Sequence, residues 1–168
     1  SAAVSYALAL DVDVIAEGLT MAEPVAGRFE QINLTGHPLV IVDYAHTPDA
    51  LENLLEAARE ITKGKLVCVF GCGGDRDIEK RPLMGAISTR LSDFVILTSD
   101  NPRSERPDAI VAAVVRGINN DKEKGKFHIE LDRRKAIEKA ICETDQDGCV
   151  VIAGKGHEDY QIIGKEVA

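Results

Sequence analysis

Asp100-Asn101-Pro102-Arg103 places a carboxylate, a carboxamide and a guanidinium within four residues, with a proline stiffening the turn. Such a set suits a small zwitterion: Arg103 for a carboxylate, Asp100 for an ammonium, Asn101 for either. The same residues would also serve as a plain strand-to-helix turn with Asp or Asn as the cap. Their position favours a site. The apolar run Phe94-Val95-Ile96-Leu97 precedes them and a helical pattern follows, which places them at the carboxyl end of a buried strand, where open α/β sheets bind their ligands.

Three more polar clusters sit at the same kind of place. Gly71-Cys72-Gly73-Gly74-Asp75-Arg76-Asp77 follows Leu66 to Phe70. It lacks the third glycine of a dinucleotide fingerprint, Arg76 standing in that position, and no G-x-x-x-x-G-K-[ST] loop occurs anywhere in the chain. A glycine-rich turn that lets backbone approach a ligand beside Arg76 is the better reading. Asp43-Tyr44-Ala45-His46-Thr47-Pro48-Asp49 follows Leu39 to Val42, and Gly154-Lys155-Gly156-His157-Glu158 follows Cys149 to Ala153. Neither His46 nor His157 has partners at metal-ligand spacing, so both read as hydrogen-bonded loop histidines, with His46 also able to meet a base or phosphate. Glu158 suits a substrate ammonium or a solvated loop charge. Lys155 reads as an exposed lysine, with a phosphate contact as the alternative.

The elements that must position these loops alternate. Strands are expected at Arg28–Ile32, Leu39–Val42, Leu66–Phe70, Phe94–Leu97, Phe127–Ile129 and Cys149–Ala153, with a last edge strand at Gln161–Ile163. Thr47 caps a helix beginning at Pro48 and stopped by Gly64, Arg81 to Ile87 opens another, and helices follow from Pro107 to about Ile118 and from Arg133, capped by Asp132, to Cys142. The pattern predicts an α/β fold: a Rossmann-like, mostly parallel sheet with helices on both faces. Two short helical patterns, Ala2–Leu10 and Val14–Leu19 ending around Gly18, look like the tail of a preceding domain. Residues 1–24 are therefore read as tail and linker, with a break at Glu23-Pro24, and residues 25–168 as the domain proper. Asp121 to Gly125 is a charged turn.

The chain has 168 residues, 45% of them hydrophobic, and a net charge of −8. That suits a single globular domain and argues against nucleic acid or an anionic membrane as partner. No apolar run reaches the ~18 residues of a membrane span, and no signal peptide is visible. Cys68, Cys72, Cys142 and Cys149 form no C-x-x-C pair and read as structural thiols of a reducing compartment. A cytoplasmic location and a monomer are expected.

Together the four loops, with Gly27-Arg28-Phe29-Glu30 and Lys80-Arg81-Pro82-Leu83-Met84-Gly85, resemble the C-terminal domain of the Mur ligases, the ATP-dependent amide ligases of peptidoglycan precursor synthesis. The set is most similar to the branch that adds diaminopimelate, and the likeness runs from about residue 22 onward. The resemblance implies that Asp100, Asn101, Pro102 and Arg103 form the meso-diaminopimelate motif, with Arg76, Gly154 and Glu158 at the other amino-acid positions. It implies that Asp43, Tyr44, His46, Asp49 and Arg81 lie near ATP, and that the acceptor is UDP-N-acetylmuramoyl-L-alanyl-D-glutamate. It also implies that the phosphate loop and most Mg²⁺ ligands belong to a domain absent here, that no catalytic residue is assignable in this chain, that the chain alone is inactive, and that it stops short of the family's last segment. A related ligase adding another amino acid, or a non-catalytic module derived from one, remains compatible with the fold. A dinucleotide-dependent oxidoreductase would need the complete glycine fingerprint.

Overall fold

The computed structural model describes residues 2–22, 25–118, 125–164 and 166–167. The expected break at Glu23-Pro24 and most of the charged turn from Asp121 lie outside the described residues.

Six strands form one sheet: β1 (Glu30–Ile32), β2 (Leu39–Asp43), β3 (Leu66–Phe70), β4 (Phe94–Leu97), β5 (Phe127–Ile129) and β6 (Cys149–Ala153), in the order β1-β2-β6-β3-β4-β5. Only β1 runs antiparallel, pairing with β2 at the edge. The other neighbours are parallel. Apolar residues fill both faces of the central strands because helices cover both.

Those helices divide unevenly. α3 (Pro48–Ile61), α4 (Lys80–Leu91) and α5 (Pro107–Val115) carry the chain from β2 through β3 and β4 to β5, outward across the sheet. They share one core with Ile41, Cys68, Phe70, Leu97 and Val151. α6 (Arg133–Cys142) brings the chain back to β6, the opposite direction, and so lies on the other face, with Ala136 and Ala140 against Val67, Val69, Ile96 and Val150. Right-handed crossovers require that exchange of faces when the direction reverses. The alternation along each strand, for example Cys68 to one core and Val67 and Val69 to the other, is the two-residue period of a pleated strand.

Local signals account for most boundaries. Thr47 caps α3, its Oγ1 accepting from Ala50 N at 3.4 Å, with Pro48 in the first turn. Asp132 caps α6 by accepting from Lys135 N at 3.2 Å. Three expectations need correcting. α3 stops at Ile61, with extended Thr62 as its cap, so Gly64 belongs to the turn beyond, where its N–H donates to Asp147 O. α2 (Val12–Met21), which follows α1 (Ala2–Ala7), runs through Gly18 because that glycine is helical and faces open space. The last strand does not join the main sheet: β7 (Ile162–Ile163) pairs antiparallel with β8 (Glu166–Val167) as a separate hairpin.

Candidate functional site

Parallel pairing aligns the carboxyl ends of the central strands. Asp43 is level with Ala153 across β2 and β6, and Phe70 with Leu97 across β3 and β4. The loops after these four strands therefore emerge along one edge, next to the point where β6 was inserted and the strand order reverses. They enclose a cleft of about 350 Å³. Of the residues expected at a site, Tyr44, His46, Arg76, Asp100, Asn101, Arg103, Gly154 and Glu158 line it.

Close backbone approach builds the walls. At Gly74 a Cβ would stand 1.9 Å from Pro102 O, so only glycine lets the glycine loop lie on the Asp100 loop. The contact is tied by Gly74 N donating to Asn101 O at 2.9 Å and by Arg103 Nη1 donating to Gly74 O at 2.9 Å. Gly154 has φ 109°, a region L side chains avoid, and its N–H donates to Asp43 O at 3.0 Å. Asp43 joins the other pair of loops, its carboxylate accepting from Phe29 N and Ala45 N, each at 2.7 Å.

Inside the cleft the carboxylates and cations are sorted. Glu158 accepts from Tyr44 Oη, Asn101 Nδ2 and Lys155 Nζ, each at 3.2 Å. Burial pushes its carboxyl up, but these bonds and the Lys155 charge outweigh burial and leave it below the usual carboxylate range. The negative charge of Glu158 in turn raises the Tyr44 phenol, with burial adding to the effect. Asp100 Oδ1 accepts from Asn101 N at 2.6 Å and Asp100 Oδ2 faces Gly154. In the same cleft, Arg76 is exposed and Arg103 half-buried. Among the described residues neither guanidinium has a carboxylate within ion-pair distance. Arg103 holds φ 51°, a left-handed conformation in a non-glycine residue. The cleft thus offers carboxylates to an ammonium and guanidinium groups to a carboxylate.

Several expected residues stand elsewhere or act indirectly. Arg81 does not face the cleft. It is buried, donates bidentately to Glu105 at 2.8 Å for each oxygen, and donates to Gly73 O at 3.2 Å. Those bonds hold the Glu105 carboxyl down at about 2 and brace the glycine loop from behind. Pro102 stiffens the turn without lining the cleft, and Asp49 is exposed in the first turn of α3. Asn101 is buried with both polar atoms of its amide engaged: Nδ2 donates to Glu158, and Oδ1 accepts from Lys155 Nζ and Ile162 N. It shapes the site more than it reaches into it.

Lys155 overturns its expectation. It is 6% exposed, bonded to Asn101 Oδ1 at 3.1 Å as well as to Glu158, and 5.2 Å from the Tyr160 ring centroid. A lysine three residues before a carboxylate in a glycine turn was the available signal, and only burial shows that the pair is internal. Arg133, at the start of α6, is also buried, with Nη2 donating to Ala153 O at 3.1 Å. Desolvation depresses its pKa, against the opposing pull of Asp100 and Glu158. Beyond Glu158 lies a larger groove of about 640 Å³ with Val42, Ile137 and Ile152 on its floor. The convergent charges mark the smaller cleft as the candidate site.

His46 packs edge-on to Tyr44 with ring centroids 4.9 Å apart, His157 stacks at 6.1 Å, and Arg28 covers the Tyr44 ring at 4.4 Å. Lys80 Nζ reaches His46 O at 2.8 Å beside them. Among the described residues, no group of three or more His, Cys, Asp and Glu is placed to hold a metal ion. No helix there is long and apolar enough to cross a membrane. All four cysteines are free thiols, with Cys142 exposed and Cys68 pushed up to about 12 by burial.

The model of the family described as Mur ligase, glutamate ligase domain, matches residues 27–156. The chain belongs to the Mur ligase family. Among curated Mur ligases, the UDP-N-acetylmuramoyl-L-alanyl-D-glutamate–2,6-diaminopimelate ligase of Clostridioides difficile is 52% identical over 97% of this chain and 33% of its own length. The enzyme of the same name from Aquifex aeolicus is 53% identical over 97% of this chain and 33% of its own length. A solved structure of a ligase with that name superposes with a TM-score of 0.77 at 40% identity, covering 99% of this chain and 34% of that one. A bifunctional folylpolyglutamate synthase/dihydrofolate synthase from Yersinia pestis, at 23% identity and a TM-score of 0.62, covers 88% of this chain and 32% of that one and shares the fold. The chain spans about a third of the length of the curated Mur ligases it matches. Mur ligase membership and the mostly parallel α/β fold agree with the reading of the four loops.

Proposed function

We propose that this chain is the amino-acid-binding domain of a ligase that joins meso-2,6-diaminopimelate to UDP-N-acetylmuramoyl-L-alanyl-D-glutamate at the expense of ATP. One observation supports it: among the described residues Arg103 has no carboxylate within ion-pair distance, and it lines the same cleft as Asp100 and Glu158. Diaminopimelate differs from lysine by a carboxylate on its distal carbon. That group would complete Arg103 bidentately, with Arg76 as a second cation. The names of the matching ligases support the same substrate.

In this reading ATP supplies the phosphoryl group that activates the γ-carboxylate of the D-glutamyl end as an acyl phosphate. The ammonium first loses a proton to solvent; its nitrogen then bonds to the acyl carbon, and phosphate leaves with the C–O bonding pair and takes up the second amine proton. Asp100 and Glu158 hold ammonium charge, Gly154 lets the substrate approach the backbone, and Asn101, through Glu158, fixes the depth of the pocket. Rate acceleration by these residues is positional. Tyr44 and His46 would form the wall nearest the nucleotide, with Asp43 tying that loop, Asp49 exposed in the first turn of α3 behind it, and Arg81 bracing the glycine loop. ATP phosphates and Mg²⁺ would be held mainly by the rest of the ligase, of which this chain spans about a third. We place the ligase in the cytoplasm, working as a monomer.

Calorimetric titration of the full-length ligase, with nucleotide present, tests the assignment. Diaminopimelate should bind more tightly than L-lysine. Arg103→Ala should lose about 1–3 kcal/mol, roughly 5- to 150-fold, toward diaminopimelate and little toward lysine. A parent enzyme that prefers lysine would overturn the substrate.

A further inference from the structure

The hairpin of β7 and β8 has no place in the sheet, yet the segment leading into it is bonded almost residue by residue to the Asp100 loop. Gln161 Nε2 donates to Asp100 O at 2.6 Å and to Ser99 O at 3.5 Å. Ile162 N donates to Asn101 Oδ1 at 2.9 Å. Arg103 N donates to Ile162 O at 3.0 Å, and Gly164 N donates to Arg103 O at 2.8 Å. Arg103 and Ile163 form an isolated parallel bridge. Every link falls on the four residues that present the guanidinium and carboxylate to the cleft, or on the residue just before them.

Arg103 needs that support. Its φ of 51° is a conformation that a non-glycine residue leaves unless its surroundings hold it. Both of its backbone hydrogen-bonding groups are held by the strap, one on each side, and its side chain leans on Gly74 O. Released from Ile162 O and Gly164 N, the residue would relax toward negative φ, and its Cα–Cβ vector would swing away from the cleft.

We infer that residues 161–164 form a strap that sets amino-acid selectivity by locking Arg103 in its left-handed conformation, with Gln161 as the positioning residue. This rests on the proposed function, since selectivity means reading the distal carboxylate of diaminopimelate. Gln161 bonds the carbonyls of Ser99 and Asp100 and does not line the cleft, so it acts by anchoring the strap whose next residues, Ile162 and Gly164, hold the Arg103 backbone. It is half-buried, and replacing it leaves both hydrophobic cores untouched.

The test uses Gln161→Met, which keeps the length of the side chain and removes the donor, and Gln161→Ala, both in the full-length ligase. The KM for diaminopimelate should rise about 5- to 20-fold with kcat within about twofold, and the preference over L-lysine should fall by the same factor. The KM for ATP should not move. A merely structural role would instead lower the melting temperature and the active fraction at unchanged KM and preference. Amide exchange at Arg103 and Gly164 should quicken in both variants. Unchanged KM, preference and exchange in both variants would overturn the strap, while a wild-type enzyme without preference for diaminopimelate would overturn the function on which it rests.

Discussion

Lys155 and Glu158 are the residues whose environment does most to define the cleft. Their side chains are 7% and 16% exposed, so neither charge is well solvated and each depends on the other. Lys155→Met should cost about 2–4 kcal/mol at neutral pH, because it strands a buried carboxylate beside Asn101 and Tyr44. The sign with pH follows. The Glu158 carboxyl lies below its ordinary value in the folded protein, so the stability it contributes is present above that value and lost as pH falls through the folded one. Urea midpoints of wild type and variant should therefore differ most near pH 7 and converge as pH falls below the ordinary carboxylate range; a gap that stays constant would refute this account of the pair. The convergence of Asp100, Arg103 and Glu158 on one cleft was legible in the sequence because their positions after strands carry the signal. Lys155, Gln161 and Asn101's inward role were not, since a lysine or an amide in a loop reads the same whether it points to water or to a neighbouring loop. That difference is made by contacts across more than fifty residues of chain.

At the scale of elements, the loops hold each other. Glu105, just ahead of α5, clamps Arg81 of α4, and the pair supports Gly73 and, through Glu105 Oε1, Asp75 N. Glu105→Gln should destabilise the domain by about 2–3 kcal/mol at pH 7, since Arg81 is left buried without its charge partner. With the folded carboxyl held at about 2 against an ordinary 4.5, the difference should disappear as pH is taken from about 5 down to 2, a trend that thermal melts at several pH values would check. Gly74→Ala sets a methyl group 1.9 Å from Pro102 O and should cost about 1–3 kcal/mol while opening the two loops, seen as weakened diaminopimelate binding. Strands and helices were readable because β-branched runs, Thr47 with Pro48, and Asp132 declare themselves locally. The β7–β8 hairpin was mistaken for a sheet edge because Ile162-Ile163 has strand composition, and nothing local tells which partner a two-residue strand will find.

Across the whole molecule, α1 and α2 stand apart. None of their residues is buried, and Val4, Tyr6, Leu8, Val12, Val14 and Met21 are exposed apolar side chains. Both cores are built from residue 29 onward. A chain beginning at Val25 should keep its unfolding free energy within about 0.5 kcal/mol and self-associate less, which sedimentation and urea titration would show together. A large loss of stability would mean that these helices support the sheet.

Strand order carries a further consequence, for how the chain folds. β6 is the last strand of the sheet to leave the ribosome, and it lies between β2 and β3, which are already finished but have no hydrogen bonds to each other. Until Cys149 to Ala153 arrives, each of those two strands exposes an apolar edge, and the pairings that close the gap span about a hundred residues of sequence. Such long-range closure makes for slow folding and a long exposure of sticky edges. A nascent chain stalled before Cys149 would hold most of its core residues but lack the central strand that both cores pack on, and would be prone to aggregate.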